Sequence, residues 1–343
     1  MDHKVDVLEC TLRDGSYAID YSFTADDTRK ISKVLQDAGF DLIEVGHGTG
    51  IGSTENGPDP AAESDEVYLK AAAEVLDKSK FGMFFLPQYG RKHHLDMARD
   101  YGMHFIRVGT DVTDTANGKE SVKYAKKKGY FVSYNLMKTY GVPVKEYGEI
   151  AAKVASWGVD IVVVVDSAGC MMPDEVAAYV EEAKNSVDCL VGFHGHNNLQ
   201  LAVANVIASV KAGVDSVDTS LRGMGRSAGN AQTEIIIPLL KRMGVLMYDI
   251  DEFLCMDAGT EFIEPIMPPA QGTDPTALVL GLGKFHSAYL PLIKKRAEEY
   301  GLDSKRLALA VGEADCVNVT DDLVKKVADK LVNQLSGKVA GSG

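Results

Sequence analysis

The sequence predicts a closed (β/α)8 barrel followed by an all-helical C-terminal domain. A unit recurs in which a helical segment ends in glycine and a short β-branched strand follows, as in LQDAGFDLIEV and VASWGVDIVVVV. The glycines of the five clearest units, Gly39, Gly102, Gly129, Gly158 and Gly213, are typical of the position after a helix, where glycine adopts a left-handed backbone at little cost. They lie 63, 27, 29 and 55 residues apart, so each long interval holds one further unit.

Eight strands result when every unit is counted. KFGMFFLP and CLVGFHGH fill the two long intervals, and DVLEC opens the series. The strands are almost entirely apolar, as expected of a parallel sheet covered by helices. This count and spacing are typical of a (β/α)8 barrel of roughly 250 residues. A doubly wound open sheet also alternates strands and helices, but the regular count favours closure, and no GxGxxG motif opens the first helix.

The predicted barrel occupies residues 1–245 and the helical domain residues 246–336. NAQTEIIIPLLKRMG is the expected eighth barrel helix, which ends near Gly244. Helical segments without a strand pattern follow, and Thr320 or Asp321 is the expected N-cap of the last one. Residues 337–343 are expected to form a flexible tail.

Composition excludes several classes of function. The 343 residues are 45% hydrophobic, and 49 Asp and Glu outnumber 36 Lys and Arg without a basic stripe, which argues against nucleic-acid binding. Apolar runs such as DIVVVVD are too short to span a bilayer, and the N-terminus has no apolar signal region, so no membrane partner is expected. The five cysteines are scattered without a CxxC motif, which predicts reduced thiols in a cytoplasmic protein.

The chemistry is expected at the carboxyl ends of the strands, where the active sites of such barrels lie. In HGH, His194 and His196 face the same side, because alternate residues of a strand share a face. Two imidazoles and one carboxylate form a set that binds a divalent metal and leaves positions open. Asp14, at the end of a strand next but one in the closed barrel, is the expected carboxylate. The alternative is that one histidine packs in the core and the other is solvated.

Other polar or aromatic positions carry open interpretations. The glycine-rich loop VGHGTGIGSTENG either covers a ligand or is a flexible surface loop, and the amides of GMGRSAGN either hold an anion or form a tight turn. His93 and His94 are expected on a helix surface. Phe84 and Phe85 point in opposite directions, so at most one faces the barrel mouth; packing of both between sheet and helices is favoured.

Four motifs resemble those of the DRE-TIM metallolyases: TLRDG, VDSAG, FHGHNNLQLAVAN and GMGRSAGN. Members of this superfamily, which includes the HMG-CoA lyase-like enzymes, are metal-dependent (β/α)8 barrels that make or break carbon–carbon bonds through enolates. LIEVGHGTGIG, SDEVYL, MMPDEV and YGLDSKRLALAVG resemble the branch of the 4-hydroxy-2-oxovalerate aldolases. The resemblance extends over about residues 4 to 335.

The resemblance implies a role for each matching residue. Asp14, His194 and His196 would ligate a divalent metal, usually Mn(II), with Mg, Co or Zn as alternatives. Arg13 would steady the enolate oxygen, and Ser167 would contact the substrate carboxylate. The remaining expected substrate-binding residues are His194, Glu44, His47 and Asn230. The resemblance also implies 2-oxo acid and aldehyde substrates, a homo-oligomer, and an acylating aldehyde dehydrogenase as partner of the helical domain.

Two positions depart from the pattern of the family. The family aldolases have the catalytic base, a histidine, where this chain has Tyr17, and a tyrosine over the site where this chain has His286. Because histidine is the better general base near neutral pH, the expected roles are proton acceptor for His286 and donor for Tyr17. Alternatively His286 lies on a helix surface and the base is missing.

The expected function is a metal-dependent aldolase that cleaves or forms 4-hydroxy-2-oxo acids. A Claisen-type enzyme that condenses an acyl-CoA with a 2-oxo acid is the first alternative, which GMGRSAGNA and the absence of histidine at position 17 favour slightly. A metal-binding partner subunit with weak or no catalysis is the second. The intact Arg13, Asp14, His194 and His196 argue against it, because a scaffold needs no open metal site.

Overall fold

Eight parallel strands close into a barrel in chain order in the computed structural model, which describes residues 3–267 and 271–340. The strands are β1 Asp6–Glu9, β2 Leu42–Glu44, β3 Lys80–Phe85, β4 Phe105–Asp111, β5 Phe131–Met137, β6 Ile161–Asp166, β7 Leu190–Gly195 and β8 Ser216–Thr219. β1 pairs with β8 in the register Leu8 to Asp218, which closes the barrel. The predicted fold class is confirmed.

Helices follow the strands and continue beyond the barrel. Those of the described residues are α1 Ala25–Ala38, α2 Ser53–Asn56, α3 Asp65–Val75, α4 Lys92–Asp100, α5 Lys119–Lys127, α6 Val144–Ala155, α7 Pro173–Ser186, α8 Ala202–Lys211, α9 Thr233–Met243, α10 Glu252–Ala258, α11 Pro275–Leu282, α12 Leu290–Tyr300, α13 Ser304–Ala314 and α14 Asp321–Ala340.

Helix α1 illustrates the local signals that shape the repeat. Thr24 caps its first turn, since its side chain accepts a hydrogen bond from the Asp27 amide, and Asp27 bonds back to the Thr24 amide. Gly39 ends it with φ +104°, and a Cβ there would lie 2.5 Å from the Asp249 carbonyl oxygen. Only glycine satisfies both the backbone angle and the close approach. The other four repeat glycines also have positive φ.

The segment after the barrel divides into two parts. Ile250, Cys255 and Ile263 pack into the barrel core, so α10 and the π-helical turn Gly259–Ile263 belong to the barrel. Helices α11 to α14 surround a second apolar core that includes Phe285 and Leu307. The predicted boundary at residue 245 is the end of the last barrel helix, but the separate core begins only at α11.

The last helix, α14, begins and ends close to the predicted bounds. Thr320 rather than Asp321 caps it, because its Oγ1 accepts a hydrogen bond of 3.2 Å from the Leu323 amide. The helix continues to Ala340, beyond the predicted start of a tail at residue 337, and residues 341–343 lie outside the described residues.

Residues 3–267 and 271–340 contain no single helix that is both long and apolar enough to cross a membrane. One pair of helical segments, 275–282 and 287–300, passes that test by length and composition, but it is bent by 115°. Leu280 and Ile293 of this pair pack in the second core.

We expect Phe285→Ala to destabilise the protein by about 3–5 kcal/mol, because it removes a fully buried ring from the small second core. Urea unfolding followed by circular dichroism measures the effect. Phe131→Ala is the matched control, since Phe131 is 42% exposed at the start of β5 and its loss is expected to cost about 1 kcal/mol or less. Equal losses in both variants would contradict the assignment of a second core.

Candidate active site and metal centre

A cavity of about 860 Å³ opens at the carboxyl ends of the strands. Its wall includes Arg13, Asp14 and Tyr17, which follow β1, together with His194 and His196 at the end of β7. Residues 286–289, which precede α12, close the cavity from the side of the C-terminal helices. The barrel and the C-terminal helices therefore build one site together.

Asp14, His194 and His196 are buried, and one ligand atom of each lies within 4.8 Å of the others. The centroids of the two imidazole rings are 5.0 Å apart. His196 Nδ1 is buried without a hydrogen-bond partner, 4.0 Å from Asp14 Oδ2. A bound cation would satisfy this orphaned nitrogen, because buried polar atoms rarely stay unpartnered. The residues therefore fit a divalent metal ion, and their role as its ligands stays a prediction.

Hydrogen bonds hold the three side chains in place. His194 Nδ1 donates to Asp218 Oδ2 at 2.9 Å, which leaves Nε2 free for an ion. The two Asp14 oxygens accept hydrogen bonds from Arg13 Nη1 at 2.5 Å and from Asn230 Nδ2 at 2.7 Å. Such contacts fix the orientation of ligands before an ion arrives.

The site keeps Asp14 and His196 in the protonation states that bind metal. Burial lowers the pKa of His196 to about 4, against the raising effect of Asp14. Burial by itself would raise the pKa of Asp14, but the charge of Arg13 and the two imidazoles outweigh it and hold that pKa well below its usual range. At neutral pH the carboxylate is ionised and the imidazole is neutral.

Glu44 does not line the cavity, and its role in substrate binding stays a prediction. It is fully buried, and its Oε2 accepts hydrogen bonds from Arg13 Nε and Arg107 Nη1, each at 2.8 Å. Arg107 also pairs with Asp218, the partner of His194. Glu44 thus anchors the guanidinium of Arg13 beneath the cavity.

The predicted substrate contacts of His47 and Asn230 stay predictions as well, since both side chains have other partners. His47 Nε2 donates to the Asp59 carbonyl at 2.8 Å, and its ring stacks on Tyr21 with centroids 4.2 Å apart. It therefore pins the glycine-rich loop, whose residues 48, 49, 58 and 59 form part of the cavity wall. Asn230 is buried and holds Asp14, and neither Asn230 nor His47 lines the cavity.

Phe84 departs from the expectation that both phenylalanines pack behind the sheet. Its ring lines the cavity 4.8 Å beneath the Arg13 guanidinium carbon, whereas Phe85 belongs to the barrel core. The two rings point to opposite sides of the strand, as expected, but Phe84 faces the barrel interior instead of packing between sheet and helices. His94 is also buried rather than exposed, because its Nδ1 accepts a hydrogen bond from the Arg91 amide.

Tyr17 and His286 come together in the cavity, although 269 residues separate them. His286 lies before a short 3-10 turn, where its Nδ1 accepts a hydrogen bond of 3.2 Å from the Ala288 amide. Burial, and then the nearby charge of Arg226, hold the pKa of His286 well below its ordinary value. Burial raises the pKa of Tyr17, with Arg226 opposing the change. At neutral pH the imidazole is uncharged and the phenol keeps its proton.

The loop GMGRSAGN contributes the side chain of Arg226 to the cavity wall. The Gly225 amide donates to Gln271 Oε1 at 2.8 Å and the Gly229 amide to the Arg226 carbonyl at 3.0 Å, so an anion has no free amide at either position. Arg226 itself lines the cavity. The alternatives of a backbone anion site and a tight turn both stay predictions for the other amides of this loop.

Sequence reasoning missed several charged residues around the site. Arg107 and Asp218 are charged positions inside apolar strands, which is the signal that points to a buried network. Lys138, after β5, donates to Asp111, to the Tyr289 hydroxyl and to the Val317 carbonyl. It ties the barrel to the C-terminal helices at the edge of the cavity.

A family model described as HMGL-like matches residues 4–258 of the chain. The chain belongs to the HMGL-like family. The match spans the whole barrel and includes Asp14, His194 and His196. It agrees with the resemblance that the four motifs indicate.

Relatives within this family match the chain over nearly its full length. The 4-hydroxy-2-oxovalerate aldolase of Carboxydothermus hydrogenoformans is 37% identical over 333 residues, which are 96% of this chain and 98% of that protein. The enzyme of the same name from Pelotomaculum thermopropionicum is 36% identical over 336 residues, 98% of each chain.

A solved structure with the same fold is the carboxyl transferase domain of Rhizobium etli pyruvate carboxylase with pyruvate. It superposes with a TM-score of 0.77 over 98% of this chain and 62% of the other. The sequence identity is 18%, so the likeness concerns the fold.

Asp218→Asn is expected to weaken binding of the divalent ion by about 10- to 100-fold, because His194 loses the carboxylate that orients its ring. Isothermal titration of the metal-free protein with MnCl2 measures the change. Asp41→Asn is the matched control, since Asp41 pairs with Lys80 at the amino end of the strands. Unchanged affinity in Asp218→Asn would contradict the orienting role.

Proposed function

We propose that the protein is a divalent-metal-dependent aldolase that cleaves 4-hydroxy-2-oxo acids into pyruvate and an aldehyde, and forms them in reverse. The observation that carries the proposal is the convergence of Asp14, His194, His196 and Arg13 on one cavity. Full-length relatives that carry the name 4-hydroxy-2-oxovalerate aldolase support the substrate class.

Asp14, His194 and His196 hold the ion, for which we propose Mn(II), with Mg, Co or Zn as alternatives. The ion supplies Lewis acidity toward the oxygens of a 2-oxo acid. Arg13 adds a fixed positive charge beside it. Because Glu44 and Asp14 hold its guanidinium before substrate arrives, this charge is ready for the oxygen on which negative charge develops when the C3–C4 bond breaks.

Ser167 orients the other end of the 2-oxo acid. Its Oγ accepts a hydrogen bond of 2.9 Å from the Lys138 amide, and it lines the cavity. The hydroxyl proton therefore remains available for the substrate carboxylate.

His286 accepts the proton of the 4-hydroxyl, and Tyr17 donates a hydrogen bond to the same oxygen. The uncharged imidazole and the protonated phenol suit these roles. The hydrogen bond from the Ala288 amide to Nδ1 places the imidazole proton on Nε2. Nε2 can act as the base only in the other tautomer, in which Nδ1 carries the proton. In that tautomer Nδ1 no longer accepts the hydrogen bond from the Ala288 amide.

The two alternatives have less support. The C-terminal helices and full-length relatives favour the aldolase over an acyl-CoA condensing enzyme. The buried ligand set and Arg13 favour catalysis over a role as partner subunit only. An assay for release of free CoA from acyl-CoA in the presence of 2-oxo acids separates the condensing enzyme from the aldolase.

Exposed apolar side chains on the C-terminal segment support contacts with other subunits. They lie before and within α10 and on α11, at Met247, Tyr248, Phe253, Met256, Leu278 and Leu282. We propose a homo-oligomer and an acylating aldehyde dehydrogenase as the occupants of such surfaces. The five free cysteines support a cytoplasmic location.

A pyruvate-release assay tests the function and the proton acceptor together. Wild-type protein with Mn(II) and a panel of 4-hydroxy-2-oxo acids is expected to release pyruvate, and a chelator is expected to abolish the release. His286→Ala should lower kcat by about 10²–10⁴-fold and remove the acid limb of the pH profile, because activity is lost as pH falls through the pKa of the base.

Tyr17→Phe should lower kcat less than His286→Ala and keep the acid limb. If His286→Ala retains full activity while Tyr17→Phe loses it, the assignment of the base is wrong. If no member of the panel gives pyruvate under any metal, the aldolase proposal itself fails.

A further inference from the structure

Arg226 is a cationic side chain of the cavity that the proposed reaction does not use. Its guanidinium carbon lies 4.6 Å from the centre of the Tyr17 ring, and its Nε donates to Ser287 Oγ at 2.7 Å. Both contacts hold the guanidinium in a defined place, one from the barrel and one from the segment before α12. The side chain lines the cavity and is only partly exposed.

The other cations of the cavity wall are paired. Arg13 meets Asp14 and Glu44, Arg107 meets Glu44 and Asp218, and Lys138 meets Asp111. Within residues 3–267 and 271–340, Arg226 forms no ion pair with a carboxylate, and its partners are a hydroxyl and an aromatic ring. An unpaired, partly desolvated guanidinium attracts an anion from solution.

The charge balance of the site indicates that Arg226 binds an anion other than the carboxylate of the 2-oxo acid. The inner network contains Arg13 and Arg107 against Asp14, Glu44 and Asp218, so its formal charge is one negative. A divalent ion makes it one positive, and the carboxylate of the 2-oxo acid returns it to neutral. The Lys138–Asp111 pair is neutral, so the charge of Arg226 is left over.

The remaining acids of the wall do not neutralise Arg226. Asp59 and Asp114 are exposed at the rim, where water and salt screen them, and neither pairs with its guanidinium.

The location of Arg226 tells which half of the substrate carries the second anion. Arg226 contacts Tyr17, which is proposed to donate to the 4-hydroxyl, and Ser287, which follows the proposed base His286. Ser167 lies instead where the substrate carboxylate is proposed to bind. From this position the guanidinium faces the part of the substrate that leaves as the aldehyde.

We propose that Arg226 binds an anionic group on the aldehyde half of the substrate, so that the enzyme acts on 4-hydroxy-2-oxo acids whose C4 substituent is or carries a carboxylate or a phosphate. This inference rests on the proposed function and narrows it. In the cleavage, the 4-hydroxyl loses its proton, the C3–C4 bond breaks, and C3 takes up a proton to give pyruvate. The second product is an aldehyde that keeps the anionic group.

A matched pair of substrates tests the inference. 4-Hydroxy-2-oxoglutarate and 4-hydroxy-2-oxopentanoate differ only in a carboxylate or a methyl group on C4. The ratio of their kcat/KM values is expected to favour the carboxylate by at least about tenfold in the wild type, since a charged hydrogen-bonded pair replaces an unpaired cation. A third substrate with a phosphate on C5 separates phosphate from carboxylate as the preferred anion.

Variants assign the preference to Arg226. Arg226→Met is expected to bring the ratio to about one and Arg226→Lys to an intermediate value, because lysine keeps the charge but not the planar fork. Ser287→Ala should reduce the ratio less. Arg222→Met is the control from the same loop, since Arg222 pairs with Glu264 outside the cavity, and it should leave the ratio unchanged.

A wild-type ratio near one for both anions, or equal losses on all substrates in Arg226→Met, would overturn the inference while the aldolase proposal stands. If no substrate gives pyruvate, the proposed function fails, and binding decides the inference separately. Titration of the Mn(II)-loaded protein should then show tighter binding of 2-oxoglutarate than of 2-oxopentanoate, with the difference lost in Arg226→Met. Equal binding of the two would overturn it.

Discussion

Replacing Asp14 with asparagine is expected to lower kcat/KM for pyruvate release by at least about 10³-fold. The change removes the anionic side chain proposed to hold the ion, and the loss of a single group that stabilises an oxyanion already costs about 10²–10³. The two Asp14 oxygens face the donors Arg13 Nη1 and Asn230 Nδ2. An amide NH2 in place of one oxygen leaves one of these donors without an acceptor. Mn(II) titration and the pyruvate assay measure the two consequences.

Asp114→Asn is the matched control for Asp14→Asn. Asp114 is an exposed aspartate of the same cavity wall, and its replacement should change neither metal binding nor pyruvate release by more than a few-fold. Circular dichroism verifies that Asp14→Asn is folded. A folded Asp14→Asn protein with wild-type activity would mean that the reaction does not depend on the proposed ligand set.

Arg13→Met is expected to lower kcat by about 10²–10³-fold with a smaller change in KM, since it removes a fixed charge that acts where negative charge develops. Mn(II) affinity should fall by less than about tenfold, because Asn230 still holds Asp14. Steady-state kinetics at saturating Mn(II) and a separate metal titration distinguish the two effects.

Arg13→Lys should not restore kcat. The guanidinium reaches Glu44 through Nε and Asp14 through Nη1, a geometry that a single ammonium does not reproduce. If Arg13→Met loses the metal and the activity in equal measure, Arg13 acts only by holding Asp14, and its direct role in charge stabilisation is refuted.

The convergence of Asp14, His194 and His196 was predictable because its signals are local. Alternation along β7 places His194 and His196 on one face, and the closed barrel brings the end of β1 near the end of β7. These inferences need only strand order and register, which the repeat of glycine-ended helices and apolar strands supplies.

The hydrogen-bond partners of these three side chains and of Arg13 were not predictable from the same signals. In the sequence Glu44 is a polar residue at a strand end. In the structure its carboxylate accepts hydrogen bonds from Arg13 and from Arg107, which lies 63 residues away in the sequence. His47 likewise bonds to a backbone carbonyl rather than facing the cavity. Side-chain competition of this kind depends on three-dimensional neighbours that periodicity does not report.

The C-terminal boundary shows the same limit. Periodicity identified the helices after Gly244, but α10 packs on the barrel, since Cys255 and Ala258 join its core. A helical pattern predicts that a segment has an apolar face, but it does not predict against which core that face packs. Arg226 was visible within GMGRSAGN, and only its contacts with Tyr17 and Ser287 reveal it as a cation of the cavity.

The most direct test of the metal-centred account is electron paramagnetic resonance of the Mn(II)-loaded protein with pyruvate enriched in ¹⁷O. The account predicts one tightly held Mn(II) per chain, lost in Asp14→Asn, and broadening of its lines by the labelled oxygens. Tight binding without broadening, or binding that Asp14→Asn leaves unchanged, would contradict it.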